Sequence, residues 1–169
     1  STIVGVCDLM SENLNQLNGY LDLIANCSNR GILISQMILN NINDDQINKK
    51  NFTQLSISNI IQKSLGEFAF DSQKQRDLVN IDLRDNFYFK GNETLMIFVL
   101  FNLLKNALYK KAEVSIWLNS KKRTLYFKDN GREIPENDLN LIFDDFFTVS
   151  KKGGTGLGLP FCRRVMRSF

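Results

Sequence analysis

The chain has no histidine, only 2 prolines and 3 cysteines, and no long apolar run. Each scarcity removes a class of function. Without histidine, this chain alone can build neither a Ser-His-Asp triad nor a histidine-bound zinc centre. Cys7, Cys27 and Cys162 have neither paired nor metal-ligand spacing, so each reads as a small buried apolar residue in a reducing compartment. No apolar stretch approaches the ~20 residues of a membrane-spanning helix, and no signal peptide opens the sequence. Charge is nearly balanced, 21 Lys and Arg against 18 Asp and Glu, and the basic residues are scattered. Nucleic-acid binding is therefore not implied. With 43% hydrophobic and 23% charged residues over 169 positions, the composition is globular, one large domain or two small ones.

Two periodicities divide what is there. From Ser1 to about Lys50, apolar residues recur in steps of four and three, first Ile3, Cys7, Met10, Leu14, Leu17, then Tyr20, Ile24, Cys27, Gly31, Ile34, Ile38. A 3.5-residue period is that of long packed helices. Asn18-Gly19 is a turn site between them, so the segment reads as a helical hairpin. Two amphipathic helices cannot enclose a core alone. Either a second copy completes a four-helix bundle, or the hairpin packs on its own downstream domain.

Beyond the linker around Asp44–Asn51, strand and helix patterns interleave. "FTQL" predicts a strand, and "SISNIIQKSLGEFAF" a helix capped by Ser56 or Ser58. "LVNIDL" and "NFYFKG" alternate as half-buried strands do. "NETLMIFVLFNLLKNALYKK" predicts a strongly apolar helix capped near Asn92. "EVSIWLN" and "RTLYFKDN" predict a β-hairpin, "PENDLNLIFDDFF" a short helix, and "LPFCRRVMRSF" the start of another. Helices with a mostly antiparallel sheet make residues 51–169 an α+β two-layer sandwich, after a hairpin domain over residues 1–50.

Three places in that sandwich invite chemistry. Asn102 and Asn106 stand four apart on one face of the most apolar helix, with Lys110 a turn beyond. They are either satisfied core amides or oxygen donors facing a magnesium ion and phosphates. Asp129-Asn130-Gly131 is a turn signal, and an aspartate there can also accept a hydrogen bond from an adenine amine. Finally, "GGTGLGLP" gathers four glycines and Pro160 within eight residues. It is either a flexible hinge or a backbone cradle for phosphate at a helix start, where Pro160 suits the first turn.

In their order, "NLLKNA", "DNG…IP", "IFDDFF" and "GTGLGL" resemble the N, G1, F and G2 boxes of the Bergerat-type ATP-binding domain of sensor histidine kinases. The preceding hairpin resembles their dimerisation and histidine-phosphotransfer domain, and "GTGLGLPFCRRVM" is similar to hybrid kinases of the quorum-sensing type. The resemblance covers nearly the whole chain. It implies ATP and Mg²⁺ as ligands, with Asn106 on the metal and Asn102, Lys105 and Lys110 beside it in catalytic positions. It also implies Asp129 on the adenine amine, Gly131 allowing close approach of the base, and Gly154, Thr155, Gly156, Leu157 and Gly158 lining the phosphates. Phe143 and Phe146 become hinge packing, and Phe147–Gly153 a lid with Lys151 and Lys152 near the phosphates. The implied partners are a second copy, joined through the hairpin, and a response regulator or receiver domain. The implied location is the cytoplasmic part of a membrane-anchored sensor.

This sequence departs from the family pattern in three respects. Glu133 replaces the second glycine of the G1 box, and Tyr109 precedes Lys110 where a lysine usually comes first. By analogy, the phosphoacceptor histidine falls just before Ser1 and the last strands after Phe169. The sequence is thus expected to hold a nucleotide without carrying its own phosphoacceptor. The Glu133 departure motivates an alternative: a degenerate core serving as a dimeric docking platform for a response regulator. A chaperone-type or mismatch-repair-type ATPase is disfavoured, because those place a glutamate where this chain has Asn102.

Overall fold

The computed structural model describes residues 17, 31, 47, 49–131, 133–148 and 155–169. The chain divides into two units, Ser1–Asp44 and Asp45–Phe169. Within the first, Leu17 and Gly31 are helical, and the rest of the expected hairpin, with Cys7, Cys27 and the Asn18-Gly19 turn, lies outside the described residues.

Among the described residues, the second unit shows a 3-10 turn, Lys49–Asn51, followed by an α+β arrangement. Strand β1 (Thr53–Ser56) leads directly into helix α1 (Ile57–Glu67), with a short helix α2 (Gln73–Arg76) after it. Strands β2 (Val79–Asp82) and β3 (Tyr88–Gly91) precede the long helix α3 (Glu93–Tyr109). The hairpin β4 (Val114–Asn119) and β5 (Thr124–Asp129) follows, and helix α4 (Gly158–Ser168) closes the unit.

The local causes are readable. Ser56 caps α1, its hydroxyl accepting from the Asn59 N–H. Asn86 adds a second cap from the β2–β3 loop, its Oδ1 accepting from the Ser58 N–H at 3.1 Å. Asn92 caps α3 by accepting from the Leu95 N–H at 3.0 Å. These side chains supply acceptors for N–H groups that a helix cannot satisfy internally.

Two small sheets result among the described residues. β1 pairs antiparallel with β3, Thr53 opposite Gly91. β4 lies between β2 and β5, parallel to β2 and antiparallel to β5. Two of the three ladders are antiparallel, and the parallel one arises because β3 and α3 intervene between β2 and β4. Residues Val114, Ile116 and Leu118 of β4 are buried, and their neighbours are more exposed. On the alternate face, Trp117 and Tyr126 stack across the β4–β5 register, ring centres 5.0 Å apart.

Helix α3 is the spine of the core. Met96, Ile97, Phe98, Val99, Leu100, Leu104, Ala107 and Leu108 are all buried, and α1, α4 and β4 pack against it. At roughly 1.5–3 kcal/mol for each large aliphatic or aromatic side chain fully buried, this helix contributes heavily to the unit's stability. Cys162 joins the core from α4 and is buried, its thiol 3.8 Å from the Val99 carbonyl.

One expected element differs. The helix read in "PENDLNLIFDDFF" reduces to a 3-10 turn, Glu136–Asp138, followed by a string of turns. Leu139, Leu141, Phe143 and Phe146 remain exposed, so an amphipathic helix here would have no surface to bury. Asp144 and Asp145 also fall where that helix would end, the wrong sign for a helix C-terminus.

Candidate functional site

Asn102 sits midway along α3 and is half-buried. Its Nδ2 donates to the Phe98 carbonyl one turn back at 2.9 Å. A buried amide requires such partners. Its Oδ1 points toward the start of α4: a β-carbon placed on Gly158 would lie 2.7 Å from that oxygen. Glycine at 158 therefore lets the α4 N-terminus come against the asparagine. One turn on, Asn106 is exposed on the same helical face, as are the neighbouring Lys105 and Lys110. The helix ends at Lys110, whose N–H reaches the Ala107 and Leu108 carbonyls. Lys111 then reverses the chain with a φ of 56°.

Just past that end lies the turn after β5. Asp129 is exposed, and its Oδ1 accepts from the Gly131 N–H at 2.9 Å. A β-carbon on Gly131 would meet the same oxygen at 2.6 Å and the Ala112 methyl at 3.4 Å. The turn is thereby set beside the α3–β4 connection. Asn130 anchors it there. Its N–H donates to the Glu113 carbonyl at 3.1 Å. Its Oδ1 accepts from the Glu113 N–H at 2.7 Å, and its Nδ2 donates to the Glu113 carboxylate at 3.3 Å. Asn130 and Glu113 are residues that sequence reasoning missed; Asn-Gly announces a turn, and nothing local announces a partner seventeen positions away.

The glycine junction has its own geometry. Gly156 is left-handed, φ +67°, and a β-carbon on it would lie 2.4 Å from the Phe146 carbonyl carbon. Phe146 is left-handed as well, at φ 67°, and its N–H donates to the Gly156 carbonyl at 3.0 Å. Thr155 is exposed. Leu157 stands at the cap position of α4 without a side-chain acceptor. The first N–H groups of α4 thus present the positive end of the helix dipole beside Asn102. Pro160 falls within that first turn, where a missing N–H costs nothing. Gly154, Lys151 and Lys152 lie outside the described residues.

The structure therefore brings Gly158 against Asn102 on α3, and two residues before it Gly156 against Phe146. Asn106 follows one turn along, and Gly131 with Asp129 sits at Ala112 just beyond the helix end. A row of this kind offers anion-binding backbone at one end and a carboxylate acceptor at the other. Glu133 is exposed in the loop after Gly131. Among the described residues, no group of three His, Cys, Asp or Glu side chains is placed to hold a metal ion. A cation here would take the Asn106 amide oxygen and draw its remaining ligands from phosphate and water. Burial pushes the Cys162 thiol up to about 12, which removes it as a nucleophile. An open depression of about 660 Å³, lined by Gln62, Ile81, Asp82, Leu83 and Arg84, involves none of these residues. Its carboxylate and guanidinium already pair with each other.

Residues 91–169 match the family described as histidine kinase-, DNA gyrase B-, and HSP90-like ATPase. The chain is 35% identical over 147 residues to the autoinducer 1 sensor kinase/phosphatase LuxN of Vibrio harveyi, covering 83% of this chain and 17% of LuxN. It is 34% identical over 167 residues to the CAI-1 autoinducer sensor kinase/phosphatase CqsS of Vibrio cholerae, covering 96% of this chain and 23% of CqsS. The chain thus spans less than a quarter of the length of either relative. Among solved structures, the nucleotide-free catalytic domain of histidine kinase ThkA aligns with a TM-score of 0.56 at 23% identity, over 69% of this chain and 80% of that one. The mycobacterial sensor histidine kinase MprB aligns at 0.55 and 21%, over 69% and 78%. Likeness at that identity is one of fold. Among the described residues, no helix is long and apolar enough to cross a membrane.

Proposed function

We propose a function from one premise: this chain is a homologue of the sensor histidine kinases, autoinducer sensors among them, and carries over residues 91–169 an ATPase domain of the histidine kinase, DNA gyrase B and HSP90 family. On that premise it binds Mg-ATP and transfers the γ-phosphoryl group to a histidine, for relay to a response-regulator aspartate. The observation that carries this is the approach of Gly158 to Asn102, which sets an uncapped helix N-terminus against a half-buried amide. Asp129 accepts from the adenine amine, and Gly131 leaves room for the base. The backbone of Thr155, Gly156, Leu157 and Gly158, continued from Gly154, holds the phosphates, and Asn106 offers its oxygen to Mg²⁺. When bound, the ion neutralises charge on the phosphates. Lys105 and Lys110 add positive charge on the same helix.

Transfer of this kind needs positioning and charge neutralisation more than covalent help. The bond between the γ-phosphorus and the bridging oxygen breaks and leaves ADP, the unprotonated imidazole nitrogen forms the new P–N bond, and the proton on the other ring nitrogen leaves to solvent. Position 102 bears an amide, which is no general base for water. Its Nδ2 is also engaged by the Phe98 carbonyl. Transfer to a protein acceptor is therefore favoured over hydrolysis. The acceptor histidine is not among these residues, which contain none; the hairpin of residues 1–50 completes a dimeric four-helix bundle with a second copy, and the whole forms the cytoplasmic part of a membrane-anchored sensor.

The test uses the chain extended upstream to include a histidine, incubated with γ-labelled ATP. Label that acid removes and base retains marks a phosphoramidate and supports the reading. Base-labile label, or fast ATP hydrolysis lost on Asn106→Ala, contradicts it. Glu133, standing where the family has glycine, motivates a second reading, a non-catalytic docking platform for a response regulator. That reading requires no saturable nucleotide binding at millimolar concentration.

A further inference from the structure

Two pairs of residues play no part in the nucleotide reading: the acidic pair Asp144-Asp145 and the basic pair Arg163-Arg164. The fold brings the two segments together. Arg164 Nη1 lies 3.0 Å from Asp145 Oδ1 and 3.4 Å from Oδ2. The Arg163 guanidinium lies 5.4 Å from the centre of the Phe143 ring, within range of a cation–π attraction. Next to these contacts, the Phe146 N–H donates to the Gly156 carbonyl, with both residues left-handed.

The left-handed phenylalanine is the informative one. That backbone conformation is unfavourable for a residue with a bulky side chain, and Phe146, 74% exposed, buries little in return. Such a residue persists only where its surroundings over-determine it. Its own contact is with Gly156, and the segment that carries it is held by the two arginines, Arg163 at the Phe143 ring and Arg164 at the Asp145 carboxylate. An exposed ion pair standing alone is worth little. Here it shares a four-residue segment with a cation–π contact and a backbone hydrogen bond into the glycine junction.

We propose that Arg163 and Arg164 are positioning residues for the nucleotide: by holding Phe143–Phe146 on α4, they keep Phe146 on Gly156 and so set Gly156–Gly158 against Asn102. This rests on the nucleotide reading above and adds to it the second turn of α4, beyond the glycine junction. It also gives "FCRRVM" a task that the glycine motif alone does not explain.

The experiment is a calorimetric titration of the full chain with Mg-ATP. Arg164→Glu faces Asp145 with a like charge and weakens binding about threefold to tenfold, and Asp145→Arg does the same. The exchanged pair, Asp145→Arg with Arg164→Glu, restores affinity to within about twofold of the parent, while the three melting temperatures stay within a few degrees of one another. Raising salt to about 1 M shrinks the differences, because the interaction is solvent-screened. Equal binding by all variants overturns the inference, and so do losses that add in the exchanged pair. No saturable binding by the parent chain overturns the nucleotide reading and this inference with it.

Discussion

Asn102 and Gly158 lie so close that a β-carbon on the glycine would stand 2.7 Å from the asparagine Oδ1. The helix carrying the amides and the helix opened by the glycines are thus in register at a single point. Gly158→Ala obliges the Asn102 amide to turn aside or α4 to shift. The expected result is a loss of about 1–3 kcal/mol in stability from overpacking and at least a tenfold loss in nucleotide affinity, read by denaturant melts and Mg-ATP titration. Gly156→Ala is worse, since its β-carbon would meet the Phe146 backbone, which has no rotamer to yield, and its φ is left-handed.

Asn106→Ala separates function from fold. The side chain is exposed, so stability moves by no more than about 0.5 kcal/mol. Nucleotide affinity measured with Mg²⁺ falls at least about tenfold, and affinity measured in EDTA changes far less. A variant that melts early, or one whose loss is the same with and without the metal, contradicts the role given to this residue.

Much of the fold is legible in the sequence. The apolar run from Met96 to Leu108 with Asn92 ahead of it announces α3, and the alternation in "EVSIWLN" announces β4, because burial and capping leave local marks. What was not legible depends on distant partners. Asn130 bonds to Glu113, Asn86 caps α1 from another loop, and Arg164 reaches back nineteen residues to Asp145. The helix expected in "PENDLNLIFDDFF" fails for a related reason. Its apolar spacing is genuine, but the fold offers no surface against which Leu139, Leu141, Phe143 and Phe146 could be buried, and nothing local announces that.

Ser64 offers a test of the core without touching the site. It is fully buried in α1, and among the described residues its hydroxyl has no hydrogen-bond partner. Ser64→Ala removes the desolvation penalty of an unsatisfied group, so stability rises by about 1 kcal/mol. The denaturant midpoint should increase with an unchanged slope. A fall in midpoint would show that the hydroxyl is satisfied in solution.

Acid stability carries a signature at Asp82. The Arg84 guanidinium and N–H hold its carboxyl at about 2, below the usual carboxylate range. A depressed folded value stabilises above the unfolded value of about 3.9, and that stabilisation is lost as pH falls toward 2. The stability difference between the parent and Arg84→Ala should therefore be constant from pH 7 to 5 and vanish between about pH 4 and 2. The pair is solvent-exposed, so the difference is small and shrinks in salt. A difference that persists unchanged at pH 2 contradicts the assignment.

The most direct measurement is a map of amide chemical shifts as Mg-ATP is added to the ¹⁵N-labelled chain. The side-chain amides of Asn102 and Asn106 and the backbone amides of Gly131, Gly156 and Gly158 should move together and follow one binding curve. Shifts confined to other places, such as Gln62 and Asp82–Arg84, or no saturable shift at millimolar nucleotide, would contradict it.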